Sequence, residues 1–420
     1  MSEASSLPDL PLMLAGVPRV VAELLRTAGI PATPLPRVPL AAAGTGRFVL
    51  FDSRDAHWQR QMVQLTRLGL TPIDFRELTE GSHCPGVATE FDLAAARHFL
   101  DRLKIALEHQ GGAWVRIADY PFPWQSAVCL AVEHPPELVA DFPLLAGALP
   151  RVTTHFLSGR IRGEELESLV DGPRPEVGWY LTPDDFESSR RKTISHWQTR
   201  LARFSSVGLQ VEGLFVGRSD LPIPTADVLQ SLGLSYSCES AAGNSILTDH
   251  TAPEPEVPWS HFPAVAVPAP ADYVEWLGEH YQAGCPLILH ASTAQAGLVS
   301  SMHEFISEAT RCSLMWQATL GELARWHRTR RNMKLQVWRR ANGFEIHADG
   351  ELAAAPWGLE IWRGAHVATV PLQTPELHVA DEGLIYIRAH KRHPGGAAIP
   401  NDAVLDIVSP PPHSNQFLAA

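Results

Sequence analysis

The stretch Ala127-Val128-Cys129-Leu130-Ala131-Val132 is an uninterrupted apolar run that ends in Glu133-His134, and two prolines follow it. A short apolar run with polar residues and prolines directly after it is typical of a buried strand. The stretch therefore predicts a strand in the core of the protein, with Glu133 and His134 at its carboxyl end.

Similar strands recur along the next 160 residues or so, with helical segments between them. The further predicted strands are 152–157, 176–181, 211–216 and 286–290. The predicted helices between and after them include 163–170, 186–205, 225–232, 271–282 and 298–311. Repeated β–α units of this kind indicate a parallel barrel, and catalytic groups in such barrels lie at the carboxyl ends of the strands.

The segments on either side have different patterns. A chain of 420 residues suggests two or three domains. Residues 1–112 alternate short strands with helices that stop at glycines, which predicts a small α/β unit. Residues 113–331 hold the predicted barrel, and residues 332–420 show short half-apolar runs separated by turns, which predicts an antiparallel β-sandwich.

Charge and hydropathy narrow the range of partners and locations. The formal net charge is −12, whereas nucleic acids and anionic lipids are bound by clustered Lys and Arg. We therefore expect neither as the main partner. No apolar run of about 18 residues exists, so no membrane span is predicted. The amino-terminal residues do not have the pattern of a signal peptide, and the five cysteines are scattered, so we expect reduced thiols and a cytoplasmic protein.

The order of motifs along the predicted barrel resembles the polysaccharide deacetylase (NodB homology) family. Glu133-His134 stand where that family has two adjacent aspartates, and a later strand ends in Leu289-His290, as in the family. The other matching pieces, in chain order, are Thr154-His155-Phe156-Leu157-Ser158-Gly159, Glu176-Val177-Gly178, Gly217-Arg218, Leu232-Gly233-Leu234-Ser235-Tyr236-Ser237 and Thr319 to Trp326. The resemblance covers about half the chain and implies a deformed (β/α)7 barrel.

The resemblance also implies a set of site residues, although the chemistry departs from the family pattern. The family's Asp-His-His metal triad falls here on His134, Tyr180 and Asp184. Imidazole and carboxylate are ordinary zinc ligands, whereas phenolate is not among the usual ones. His134 and Asp184 are therefore the predicted metal ligands, and the replaced triad leaves it open whether zinc is bound at all.

The family scheme places a catalytic base at Glu133 and a catalytic acid at His290. The predicted substrate-binding residues around them are Trp179, Tyr180, Asp185 and Arg218. The implied function is hydrolysis of an N- or O-acyl group on a sugar. The alternative is a catalytically inactive homologue that binds a glycan or a protein partner in a surface-polysaccharide pathway. Whether the protein is an enzyme therefore stays open.

Several of these residues also have ordinary structural interpretations. His155 suits a buried core histidine, but it also follows one strand after His134 and could share a metal site with it. Asp184 and Asp185 suit the amino-terminal cap of the next helix. A metal-free hydrolase that pairs Glu133 with Asp185 is a third reading, because glycosidases use two carboxyl groups. Three tryptophans in the predicted sandwich suit either sugar stacking or core packing: Trp338, Trp357 and Trp362.

Overall fold

The computed structural model describes residues 7–35, 46–79, 93–135, 142–158, 175–187, 189–217, 226–240, 260–352 and 356–388. Arg218, Cys84 and the predicted helix 163–170 lie outside these ranges. By its contacts the chain divides into two compact units, one within Met1–Pro123 and Thr329–Ala420 and the other within Trp124–Arg328.

The amino-terminal segment forms a four-stranded parallel sheet. Its strands are β1 (Leu12–Ala15), β2 (Ala32–Pro34), β3 (Phe48–Phe51) and β4 (Thr71–Asp74), in the order β2-β1-β3-β4. Its helices are α1 (Arg19–Thr27), α2 (Ala56–Arg67), α3 (Phe75–Thr79) and α4 (Leu93–His109). The predicted α/β unit is confirmed, and Asp55 begins α2 by accepting hydrogen bonds from the amides of His57 and Trp58.

Strand β5 (Trp114–Ile117) follows the first sheet but does not join the barrel, where its position in the sequence had placed it. It pairs with a strand near the carboxyl terminus, and Arg116 on β5 makes a buried ion pair of 2.6 Å with Glu360 on that strand. A short apolar strand carries no information about its partner in its own sequence, so this pairing could not be predicted.

The central segment forms a closed parallel barrel of seven strands, which confirms the predicted fold class. The strands are β6 (Ser126–His134), β7 (Thr153–Ser158), β8 (Glu176–Leu181), β9 (Val211–Val216), β10 (Tyr236–Ser240), β11 (Ser260–Ala266) and β12 (Leu287–Ser292). Pairing of β12 with β6 closes the barrel. A short strand β13 (Met315–Gln317) pairs with the beginning of β6.

Helices cover the outer face of the barrel. They are α5 (Phe142–Ala148), α6 (Arg190–Ser206), α7 (Ala226–Ser231), α8 (Tyr273–Ala283), α9 (Leu298–Thr310) and α10 (Leu320–Asn332). Because successive side chains of a strand point to opposite faces, alternate residues of each strand pack against these helices. On β6 these are Val128, Leu130 and Val132, which belong to one buried cluster with α8 and α9. None of the described helices is long and apolar enough to cross a membrane.

The amino-terminal end of the barrel is secured to the beginning of α10 through Glu176, the first residue of β8. Its carboxylate accepts hydrogen bonds from Thr154 Oγ1 at 2.9 Å, from Tyr236 at 3.1 Å and from the amide of Gly321 at 2.7 Å. The hydroxyl of Thr319 donates to it as well. Four of the motifs that carry the family resemblance therefore meet at this end of the barrel, where they hold the closing helix in place.

The carboxyl-terminal segment forms antiparallel strands in two sheets, as the β-rich pattern predicted. The strands are β14 (Lys334–Arg340), β15 (Gly343–Asp349), β16 (Trp357–Arg363), β17 (His366–Leu372), β18 (Glu376–Ala380) and β19 (Ile387–Arg388). One sheet has the order β14-β15-β18 and the other β19-β17-β16-β5. Trp357 and Trp362 are buried, whereas Trp338 is half-buried.

Candidate active site

Four polar side chains meet at the carboxyl end of the barrel, on its inner face. Glu133 lies near the end of β6, Tyr180 near the end of β8, and His290 and Ser292 at the end of β12. Their sequence neighbours Val132, Trp179, Ala291 and Leu181 belong to the clusters on the outer face. The alternation of strand side chains therefore turns these four residues inward. We call them the mouth cluster.

Glu133 and His290 form the central pair of the mouth cluster. Nε2 of His290 lies 3.4 Å from Oε2 of Glu133, and the two side chains are 15% and 20% exposed. This distance is that of an ion pair, but among the described residues Nε2 has no partner with hydrogen-bond geometry. The imidazole is thus close enough to exchange a proton with the carboxylate or with a group bound between them.

The surroundings keep Glu133 in its ionised form. Burial by itself raises the pKa of this carboxyl group, but the neighbouring imidazole of His290 and the hydroxyls of Ser292 and Tyr180 outweigh it. The pKa of Glu133 is therefore held below its ordinary value. A carboxylate that stays ionised in mildly acidic solution can act as a proton acceptor.

An aromatic stack fixes the orientation of His290 and Tyr180. The ring of Phe215 on β9 stacks on His290 with centroids 4.4 Å apart and on Tyr180 with centroids 5.7 Å apart. Gly217 leaves the room that Tyr180 needs, because a Cβ atom at this glycine would lie 2.1 Å from the tyrosine hydroxyl. The two outer rings of the stack are therefore held with little rotational freedom.

His134, a predicted metal ligand, lies on the opposite face of β6 from Glu133. Its Nε2 lies 2.9 Å from Nδ1 of His155, and both rings make edge contacts with Phe142 of α5. Burial lowers the pKa of His134 to about 4, against the opposing effect of Glu133, and it lowers the pKa of His155 as well. The two histidines are therefore a buried neutral pair behind the strand.

The remaining predicted site residues are not part of the mouth cluster. Asp184 is exposed in a 3-10 turn at Pro183–Asp185. Asp185 is buried and accepts hydrogen bonds from the amide and hydroxyl of Thr182 at 2.8 and 2.7 Å. Trp179 is fully buried against Trp197 in the outer layer, so it offers no stacking surface to a substrate. Arg218 lies outside the described residues.

The donor set described by the structure does not fit a zinc ion at the mouth. His134 points away from Glu133, with one ring nitrogen paired to His155, and Asp184 faces solvent. Among the described residues, no three His, Cys, Asp or Glu side chains are grouped so that they could hold a metal ion.

The structure brings together Glu133, Tyr180 and His290, which were predicted site residues, and adds two residues that were not predicted from the sequence. Ser292 follows His290 at the same strand end, and the inward alternation from His290 to Ser292 was a usable signal. Phe215 gave no signal, because one apolar residue inside an apolar strand cannot be recognised as the support of a stack.

No family model and no curated protein matches the sequence. Among solved structures, a Mycobacterium smegmatis protein whose name assigns it to the polysaccharide deacetylases is 13% identical, with a TM-score of 0.36, over 53% of this chain and 96% of that chain. A 4-alpha-glucanotransferase from Thermococcus litoralis is 10% identical, with a TM-score of 0.34, over 48% of this chain and 38% of that chain. Scores this low support no argument about activity.

Proposed function

We propose that the mouth cluster hydrolyses an acyl group on a neutral sugar, with Glu133 as general base and His290 as general acid. The observation that carries the proposal is the 3.4 Å contact between these two groups on the inner face of the barrel mouth. A base and an acid at this separation can serve the two proton transfers that acyl transfer to water requires.

In the proposed reaction the oxygen of a water molecule attacks the acyl carbon, and Glu133 takes a proton from that water molecule. His290 then gives a proton to the oxygen or nitrogen that leaves on the sugar, and the bond from this atom to the acyl carbon breaks. The hydroxyls of Tyr180 and Ser292, which help to lower the pKa of Glu133, would bind sugar hydroxyls. The ionised carboxylate disfavours an anionic substrate in the same place.

The rate enhancement that general acid–base catalysis can supply favours an ester substrate over an amide substrate. General acid–base catalysis contributes roughly 100- to 10,000-fold to a rate. An alkoxide is a better leaving group than an amide nitrogen, so an enhancement of this size is most useful on an O-acyl sugar. We therefore expect O-acylated sugars to be better substrates than N-acylated sugars.

The test is hydrolysis of p-nitrophenyl acetate and of acetylated xylo-oligosaccharides by the full chain. Glu133→Gln and His290→Ala are each expected to lower kcat by about 100-fold or more. Glu308→Gln changes a half-buried carboxylate on α9 that pairs with Arg311, and it should leave kcat unchanged. Equal rates for the wild-type protein and both mouth variants would eliminate the proposal.

A second candidate is binding without catalysis, in which the barrel mouth holds a glycan or a protein segment. The separation of His134 and Asp184 from the mouth cluster favours it, because the family resemblance assigns these residues to the metal. Calorimetric titration with the same oligosaccharides distinguishes the two candidates. Binding without turnover, weakened in Tyr180→Ala, would support this second function.

A further inference from the structure

Thr293, the first residue after β12, makes two contacts with the main chain of Glu133. Its amide donates a hydrogen bond of 3.0 Å to the Glu133 carbonyl oxygen, and its hydroxyl donates a second one of 3.2 Å to the same oxygen. The loop between β12 and α9 therefore holds the residue whose carboxylate lies in the mouth cluster.

These contacts lie at the place where β6 ends. The register of the two strands pairs Ser292 with Glu133, and His134 is the last residue of β6. A strand end has few ladder bonds of its own, so an added pair of donors has more effect there than in the middle of a strand. Ser292 is the register partner of Glu133 and helps to lower the pKa of its carboxyl group, and Thr293 bonds the backbone that carries this carboxyl group.

The hydroxyl of Thr293 is not needed to form the turn that follows. That turn has its own hydrogen bonds, from the amide of Gln295 to the Ser292 carbonyl at 2.9 Å and from the amide of Ala294 to Ser292 Oγ at 3.4 Å. Neither bond involves the Thr293 side chain. The side chain of Thr293 is therefore directed to Glu133 and not to its own loop.

We propose that Thr293 is a positioning residue, which aims the Glu133 carboxylate at the substrate by holding its backbone from the β12–α9 loop. The inference rests on the proposed function and deepens it. A misplacement of about 1 Å in a catalytic group can cost about 100-fold in rate. Losing one of two bonds to the carbonyl should cost less than that.

The kinetic test compares Thr293→Val, which removes only the hydroxyl, with Thr293→Ser, which keeps it. We expect Thr293→Val to lower kcat about 10-fold with little change in KM, and Thr293→Ser to restore most of it. Thr199→Val is the matched control, because its hydroxyl also donates to a carbonyl, that of Ser195 on α6. An unchanged kcat in Thr293→Val would overturn the inference.

A second measurement does not depend on turnover. The Glu133 carboxyl group is titrated by NMR with ¹³C-labelled glutamate, and its signal is assigned by its loss in Glu133→Gln. A carboxylate that moves away from its donors has a higher pKa. We expect the Glu133 pKa to rise in Thr293→Val and to stay low in Thr293→Ser.

The two measurements separate the positioning role from the proposed function. A protein without hydrolytic activity, but with the expected rise of the Glu133 pKa, would retain the positioning role and lose the proposed function. Activity that is insensitive to Thr293→Val, with an unchanged pKa, would retain the function and lose the positioning role. Thr293→Ala provides a second hydroxyl-free variant if Thr293→Val is not folded.

Discussion

His134 and His155 face each other across neighbouring strands, with 2.9 Å between Nε2 of the first and Nδ1 of the second. Both side chains are fully buried, and Phe142 packs against both rings. One nitrogen of the pair donates and the other accepts, and burial, which lowers the pKa of both histidines, keeps both rings neutral. Adding a proton would place a charge in an apolar pocket.

This pair should make the protein less stable in mild acid. An unfolded histidine titrates near 6.5, whereas burial lowers the pKa of His134 to about 4. Above pH 6.5 His134 is neutral in both the folded and the unfolded protein, so no stability is lost. As the pH falls from 6.5 towards 4, only the unfolded state binds the proton, so the free energy of unfolding decreases by up to about 3 kcal/mol.

Urea unfolding at pH 7 and pH 5 measures this loss, and His134→Asn should reduce the difference between the two pH values. Glu133 does not account for it, because its lowered pKa places its own titration below this range. An identical pH dependence in His134→Asn would contradict the explanation.

The pH profile of activity should reflect the donors around Glu133. Because Glu133 must be ionised to act as the proposed base and its pKa is lowered, we expect the acid limb of kcat/KM to lie below the ordinary carboxyl value of 4.5. Tyr180→Phe and Ser292→Ala each remove one hydrogen-bond donor and should move this limb to higher pH. A limb that stays in place in both variants would show that these hydroxyls do not act on the base.

Gly217 should tolerate no side chain. A Cβ atom there would lie 2.1 Å from the Tyr180 hydroxyl, so Gly217→Ala should displace the tyrosine, at a cost of roughly 1–3 kcal/mol in the free energy of unfolding. Gly278→Ala on α8 is the matched control, since a Cβ atom at Gly278 meets nothing within 4 Å. Thermal unfolding of the two variants should differ in this direction, and equal unfolding temperatures would refute the steric argument.

Glu176 should be important for stability and not for chemistry. Glu176→Ala leaves the donors of Thr154, Tyr236 and Gly321 without their acceptor and should cost roughly 3 kcal/mol, whereas Glu176→Gln should cost less. Glu308→Ala breaks an exposed ion pair and should change stability by less than about 1 kcal/mol. Denaturant unfolding tests the order of the three variants.

Metal content provides a further test of the mouth. Because His134 is bonded to His155 behind β6, we expect His134→Ala to leave the zinc content of the purified protein unchanged in elemental mass spectrometry. A stoichiometric zinc ion that disappears in this variant would require a different arrangement of the strand end.

The sequence was most informative where a pattern extends over many residues. The barrel followed from repeated apolar strands and helices, and the family resemblance singled out Glu133, Tyr180 and His290, which the structure places together at strand ends. The sequence did not show the face of the strand on which each side chain lies. A strand that is apolar on both faces does not indicate which of Glu133 and His134 points inward. For the same reason Trp179 and Tyr180 were both assigned to the substrate, although they point to opposite faces of β8.

The anchoring of α10 by Glu176 has a consequence for how the protein can change over evolutionary time. The groups that hold the closing helix lie at one end of the barrel, and Glu133 and His290 lie at the other. Replacing a residue at the mouth therefore removes none of the contacts that close the base. Substitutions at the mouth can therefore change what the barrel binds. Selection on the residues at the opposite end maintains the fold.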